Sequence, residues 1–163
     1  MSNGAIDWLT PEELRVLRAF SRAWGAVTGQ VDRRLEDEAG LPQGYFDILW
    51  HLRRAPGMSL RMSRLAEITH SKASRITHAV GRLEQDGLVR REVPADDRRG
   101  WLAVLTRTGL ERAERAALVH ARVVREHALA PLTAEQHDQL VTISERLLAG
   151  IAPTTAAGAQ GQE

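Results

Sequence analysis

The sequence contains no cysteine, and this absence excludes several functions at once. A chain without thiols forms no disulfide, has no thiolate nucleophile or thiol redox switch, and holds no cysteine-ligated zinc. No apolar run approaches the roughly 18 residues of a membrane span. The N-terminus, M-S-N-G-A-I-D-W, lacks the basic and apolar regions of a signal peptide. We therefore expect a cytoplasmic protein with no membrane segment.

Common catalytic motifs are also missing. The chain contains no G-x-S-x-G, no phosphate-binding loop, no G-x-G-x-x-G after a strand and no H-E-x-x-H. No two of the six histidines are four residues apart, so a helical zinc site is not expected. The histidines are His51, His70, His78, His120, His127 and His137. The sequence therefore predicts a protein that is not an enzyme and needs no metal or cofactor.

The net charge of +1 for 163 residues conceals a strong asymmetry. Residues 1–52 carry a net charge of −3, residues 53–99 a net charge of +5, and residues 100–163 a net charge of −1. Such a central basic block indicates a nucleic-acid-binding face between two segments that are neutral to acidic.

A long helix is predicted near the N-terminus. In T-P-E-E, Thr10 is a good N-cap, Pro11 suits the first helical position and Glu13 completes a capping box. Apolar residues then recur at spacings of three and four as far as Leu35, and the helix should end near Gly40. A helix of this length with one apolar stripe needs a neighbour along its whole length. The stripe comprises Leu14, Leu17, Phe20, Trp24, Val27, Val31 and Leu35.

The middle of the chain follows the order of a winged helix-turn-helix. Residues 44–54 are expected to form a helix, 58–60 a short extended piece, 62–69 a second helix and 72–86 a third, which Ser71 caps and Gly87 ends. Two extended segments, 88–93 and 101–105, flank the polar loop P-A-D-D-R-R-G and predict a hairpin. The third helix would be the recognition helix and the hairpin loop the wing. The basic block falls almost wholly inside this unit.

One side of the predicted recognition helix is polar. At 100° per residue, the side opposite Ile76, Val80 and Leu83 carries small or hydrogen-bonding residues with basic flanks and no acid, a pattern that suits base edges and phosphates. One alternative is an ordinary solvated helix face. Another is an adaptor that uses the winged unit for protein contacts, in which case this face should carry apolar residues. The candidate DNA contacts are Ser71, Lys72, Ser74, Arg75, Thr77, His78 and Arg82.

The predicted wing is basic at its tip. Arg98 and Arg99 lie in a short hairpin loop, where an arginine suits the narrow and negative minor groove. Asp97 beside them could orient one guanidinium group through a bidentate pair. Taken alone, these residues are better explained as an ordinary charged turn, and it is their position after a helix-turn-helix that favours DNA.

Two further helices and a tail complete the chain. Thr106 is the expected cap of a helix that reaches about Leu129, and Thr133 with Gln136 forms the capping box of another that ends at Gly150. Residues 152–163 contain few bulky apolar side chains and are expected to be disordered.

Three motifs carry a family resemblance. Residues 97–106 match D-x-R-x-x-x-x-x-L-T, the wing signature of MarR-type regulators. The stretch R-L-E-Q-D-G-L-V-R-R at 82–91 resembles the exit of the recognition helix in that family, and L-A-E at 65–67 fits the first helix of its helix-turn-helix. The resemblance extends over about residues 10–150.

The resemblance implies a mainly α fold with a small β-hairpin wing: a winged helix-turn-helix plus long dimerisation helices. Residues 1–41 and 107–151 would form the dimer, and residues 42–106 would bind DNA. A homodimer of this kind binds a pseudo-palindromic operator, with Asp97 and Arg99 as the paired wing residues and Arg98 nearer the phosphates. Half-sites should lie roughly 10 bp apart.

The resemblance also implies a repressor that a small aromatic or phenolic ligand releases from double-stranded DNA. The pocket would lie between the dimer helices and the winged unit. Trp24 and Trp50 are better explained as core residues, and His51 as a surface residue or phosphate contact. The pocket candidates are Trp24, Tyr45, Asp47, Trp50, His51 and Arg54.

Overall fold

The protein has the element order that the sequence predicts. In a computed structural model, which describes residues 8–93 and 100–151, six α-helices and three short strands follow one another. They are α1 (Pro11–Ala39), α2 (Gln43–Arg54), β1 (Ser59–Arg61), α3 (Met62–Ile68), α4 (Ala73–Gln85), β2 (Val89–Glu92), β3 (Leu102–Leu105), α5 (Arg107–Val124) and α6 (Ala134–Ile151). The predicted wing tip with Asp97, Arg98 and Arg99, and the predicted disordered tail, lie outside the described residues.

Helix α1 begins and ends as predicted. The Glu13 backbone N–H donates to Thr10 Oγ1 at 3.3 Å, and the Thr10 N–H donates to Glu13 Oε2 at 2.6 Å, which completes the capping box. Gly40 ends the helix with φ +59°, in the left-handed conformation that favours glycine. Only Val31 and Leu35 of the helix are buried, so a single chain covers just the C-terminal part of the predicted stripe.

The core lies between the winged unit and the adjoining parts of α1 and α5. Leu49 and Leu52 of α2, Leu65 of α3 and Leu83 of α4 are fully buried in one cluster with Leu35. Each of these helices places an apolar stripe on this cluster and leaves its polar side outside. The cluster therefore fixes α4 relative to the long helices.

The wing stem belongs to a three-stranded antiparallel sheet in the order β1-β3-β2. Strands β2 and β3 form the predicted hairpin, with Val89 opposite Leu105 and Glu92 opposite Leu102. Strand β1 pairs on the other side of β3, with Ser59 opposite Val104. The short extended piece was predicted, whereas its pairing was not, because a three-residue strand carries no information about its partner.

The start of α4 differs from the prediction. Lys72 is the N-cap and makes no side-chain capping bond. Ser71, the predicted cap, instead donates its hydroxyl to the Thr69 carbonyl at 3.2 Å. The prediction of a Ser71 cap was therefore wrong by one position, because the tight turn before α4 uses this hydroxyl itself.

The C-terminal helices have about the predicted extent and differ from the prediction in one detail. Thr106 Oγ1 accepts the Gly109 N–H at 3.0 Å, and the Thr133–Gln136 capping box is present, so both predicted caps are confirmed. Residues Arg125–Leu129, predicted as the end of one α-helix, form a π-helical turn. No residue of α6 is buried. No helix among the described residues is both long and apolar enough to cross a membrane.

Candidate nucleic-acid interface

Helix α4 has one buried face and one exposed polar face. Ile76, Ala79, Val80 and Leu83 are buried against the core. Most predicted DNA contacts lie on the exposed side of the helix or at its start. Ser71 is half-buried, and the exposed residues are Lys72, Ser74, Arg75, Thr77, His78 and Arg82. Six of the seven predicted contacts are thus exposed to solvent in the single chain.

The turn between α3 and α4 is tight and well bonded. The Ser71 N–H donates to the Ala66 carbonyl at 2.9 Å, and Thr69 Oγ1 donates to the Leu65 carbonyl at 2.6 Å. His70 takes φ +49°, a left-handed conformation that few residues other than glycine adopt. These bonds set the angle at which α4 leaves α3, and so they fix where the polar face lies.

Glu84, the one acidic residue of α4, forms an ion pair with Arg91 of β2. Glu84 Oε2 accepts the Arg91 Nε–H at 2.7 Å, and Glu84 Oε1 accepts the Arg91 backbone N–H at 3.0 Å. Hydrogen bonds from the Arg91 side chain and backbone hold the pKa of Glu84 below its ordinary value. The Arg91 guanidinium also lies over the Trp101 ring, 5.9 Å from its centroid.

Sequence reasoning missed this Glu84–Arg91–Trp101 cluster. Glu84 lies in α4, Arg91 lies in β2, and Trp101 directly precedes β3. No single helix or strand periodicity therefore relates the three residues. The stretch at 82–91, which carries the family resemblance, holds both Glu84 and Arg91. Their opposite charges were the one signal that could have paired them.

A cleft of about 760 Å³ lies between α1, α2 and the α3–α4 turn. Of the six pocket candidates, Tyr45 and Asp47 line it, and Trp24, Trp50, His51 and Arg54 do not. Arg75 and His78, both predicted DNA contacts, line the same cleft. The cleft therefore opens beside the exposed polar face of α4. The cleft is also lined by Thr28, Asp32 and His70, which were not predicted. Nothing in their spacing along the sequence indicates that they line one cleft.

The remaining pocket candidates lie elsewhere. Trp24 is 61% exposed, so a single chain does not bury it as a core residue. Trp50 is half-buried and stacks on Phe46 with ring centroids 5.9 Å apart, and the Arg53 guanidinium lies 5.0 Å from the Trp50 ring centroid. His51 is half-buried and Arg54 is exposed. Trp50 contributes instead to a second groove, of about 620 Å³, between α2 and α5.

Burial disfavours the charged form of Asp47, one of the residues that line the cleft. Burial raises the pKa of its carboxyl group, and the nearby His120 and His51 only partly offset this. A half-buried carboxylate of this kind gains from a hydrogen-bond donor placed beside it. Within residues 8–93 and 100–151, no cluster of three or more His, Asp or Glu residues could hold a metal ion.

Comparisons with known proteins identify the family. Residues 39–100 match the family model described as MarR family. A MarR family transcriptional regulator from Streptomyces coelicolor, solved in complex with DNA, is 38% identical, and the alignment covers 94% of this chain and 96% of that chain with a TM-score of 0.86. AbsC, another MarR family transcriptional regulator from S. coelicolor, is 35% identical over 88% of this chain and 99% of its own, with a TM-score of 0.80.

More distant structures share the same architecture. The transcriptional regulator BldR from Sulfolobus solfataricus is 25% identical over 88% of this chain and all of its own, with a TM-score of 0.73. No curated protein matches the sequence. The winged helix-turn-helix and these full-length similarities define the class: the chain belongs to the MarR family of transcriptional regulators.

Proposed function

We propose that this protein is a homodimeric, sequence-specific DNA-binding repressor that a small ligand releases from its operator. The observation that carries the proposal is the exposed face of α4, which is polar and flanked by Arg75 and Arg82, while Glu84 is paired with Arg91. The S. coelicolor relative solved in complex with DNA supports it. In this role the protein catalyses no reaction, and it acts on DNA in the cytoplasm.

Arg75 and His78 are proposed to read base edges from the major groove. We expect Arg75→Ala and His78→Ala each to reduce discrimination between operator and unrelated DNA by about 1–3 kcal/mol. The operator is obtained by selecting bound fragments of the source organism's genomic DNA, and the shortest bound fragment is termed the selected duplex. Fluorescence anisotropy with the selected duplex and with a scrambled duplex measures the ratio of affinities.

Arg107→Ala provides the control for these two variants. Arg107 is an exposed arginine at the start of α5, where it pairs with Glu111, and it is outside the proposed recognition face. This change should leave the affinity ratio unaltered. An equal loss of affinity for both duplexes with Arg75→Ala and His78→Ala would make these residues phosphate contacts and contradict the proposed base reading.

The dimer is proposed from unpartnered apolar surface on α1 and α6. An 18-residue helix with no buried residue is not expected to persist in water alone, because helical stability in proteins comes mainly from packing. A second copy would bury this surface together with the exposed part of the α1 stripe. The exposed apolar residues of the two helices include Leu17, Phe20, Trp24, Leu140, Val141, Ile143, Leu147, Leu148 and Ile151.

Light scattering is expected to give a mass about twice the 18.1 kDa of one chain. The double variant Ile143→Glu/Leu147→Glu places charges on the proposed interface and should shift the mass toward that of a monomer. Glu145→Lys, a charge change on the same helix at a polar position, should leave the dimer intact. A wild-type protein that stays monomeric at micromolar concentration would overturn the dimer proposal.

The cleft beside α4 is the proposed ligand site. Tyr45 offers an aromatic ring and Asp47 an acceptor for a phenolic hydroxyl, so a small aromatic or phenolic effector suits it. We expect phenol derivatives to lower the affinity for the selected duplex, because Arg75 and His78 line the cleft as well as the proposed recognition face. Tyr45→Ala should weaken this effect without changing DNA affinity in its absence. A broad panel of such compounds with no effect would contradict this ligand class.

A further inference from the structure

We propose that Arg91 is a positioning residue that fixes the wing relative to the recognition helix, so that both DNA-reading elements move as one unit. The inference rests on the proposed DNA-binding function, in which α4 and the wing contact the same duplex. It assigns a role to Arg91 through its bonds to Glu84 and Trp101 rather than through a contact with DNA.

The bond to α4 holds both the backbone and the side chain of Arg91. Glu84 lies in the last turn of α4, and its two carboxylate oxygens accept different donors of Arg91: the main-chain N–H and the Nε–H of the guanidinium. A carboxylate engaged in this way restricts both the position and the orientation of the arginine. Strand β2 is thereby attached to the end of the recognition helix at a defined angle.

The second contact connects Arg91 to the returning side of the wing. Trp101 directly precedes β3, and its ring lies beneath the Arg91 guanidinium. The Trp101 carbonyl accepts the Met62 N–H at 3.0 Å, which joins the same point to the start of α3. Arg91 thus lies between the recognition helix and the residue through which the chain re-enters the sheet.

The solvent exposure of the pair favours a positioning role over a role in overall stability. The Arg91 and Glu84 side chains remain 37% and 32% exposed. Ion pairs exposed to this degree contribute little to the free energy of unfolding. The adjacent strand residues Val89, Ala103 and Leu105 are buried and already anchor the hairpin. The geometric constraint on the stem is therefore the main effect that Arg91 adds.

A double-mutant cycle on affinity for the selected duplex tests this inference. We expect Arg91→Ala to weaken binding about tenfold in the wild-type background and to have little further effect in an Arg99→Ala background, because interacting sites are not additive. Arg91→Lys, which keeps the charge but loses the planar fork, should restore binding only partly. Urea unfolding of each variant checks that the fold is retained.

Two further variants separate positioning from charge. Arg90→Ala removes a neighbouring exposed arginine that pairs with Glu92 within β2, and its effect should be the same in both backgrounds. Glu84→Ala removes a negative charge, so electrostatics alone predicts tighter DNA binding. A positioning role predicts instead that Glu84→Ala weakens binding to the selected duplex. Like the effect of Arg91→Ala, this loss should be small in the Arg99→Ala background.

The outcomes distinguish this inference from the proposed function. Equal effects of Arg91→Ala in the two backgrounds, or tighter binding by Glu84→Ala, would overturn the positioning role while DNA recognition stands. Full affinity of Arg99→Ala would overturn the wing contact and the positioning role together. A wild-type protein that selects no duplex would overturn the proposed function itself, and with it this inference.

Discussion

Replacement of Arg99 by alanine is expected to abolish most of the operator affinity. Its proposed contact lies in the narrow minor groove, where negative potential is enhanced and an arginine is favoured. A hydrogen bond from a charged group contributes about 1.5–3 kcal/mol. Since a dimer would present two wings, the loss should be about a hundredfold or more in affinity for the selected duplex, measured by anisotropy at fixed salt concentration.

Arg98→Ala is the matched control for Arg99→Ala. It removes the same charge one residue away, and its proposed contact is a phosphate. We expect a smaller loss that is similar for operator and scrambled duplexes, together with a weaker dependence of affinity on salt. If Arg98→Ala costs as much as Arg99→Ala and equally lowers discrimination, the assignment of distinct roles to the two arginines is wrong.

Gly109→Ala is expected to destabilise the fold strongly, although it adds only one methyl group. A Cβ at Gly109 would lie 2.0 Å from the Leu88 carbonyl oxygen and 2.9 Å from Leu105 Cδ1. The Leu88 carbonyl also accepts the Thr106 N–H at 3.1 Å, so it cannot withdraw without loss of that bond. We expect a loss of about 3 kcal/mol or more in the free energy of unfolding.

Gly44→Ala provides the comparison for that change. Gly44 also lies in the first turn of a helix, and an added Cβ there would meet no atom within 4 Å. This variant should match the wild type or gain up to about 1 kcal/mol. Urea unfolding at one chain concentration compares the two, because the proposed dimerisation would make apparent stability depend on concentration. Similar midpoints for Gly109→Ala and wild type would show that the Leu88–Gly109 junction is not tightly packed.

Local signals account for the parts of the fold that the sequence predicts well. The caps at Thr10, Thr106 and Thr133 each depend on residues three positions apart, so they are visible in the chain. Apolar periodicity likewise predicts the buried face of α4. The β1–β3 pairing and the π-helical turn at Arg125–Leu129 depend on contacts distant in sequence or on packing, which periodicity does not encode.

The candidate site likewise has one part that the sequence predicts well and one that it does not. The polar face of α4 follows from helix geometry, and the structure leaves six of its seven predicted residues exposed. The cleft was predicted less well, because its walls come from α1, α2 and the α3–α4 turn. Tyr45 and Asp47 line it, whereas Trp50 faces a different groove. Aromatic residues were weak indicators of the cleft because they serve equally well in packing.

The presence of Arg75 and His78 in both the cleft and the proposed recognition face of α4 has a thermodynamic consequence. If a ligand in the cleft lowers operator affinity by some factor, the operator must lower ligand affinity by the same factor, because coupling between two binding sites is reciprocal. DNA-bound protein would then respond only at higher ligand concentrations than free protein. The ligand concentration that releases the regulator from an operator would therefore depend on how tightly that operator is bound. One regulator could thus leave different operators at different ligand concentrations.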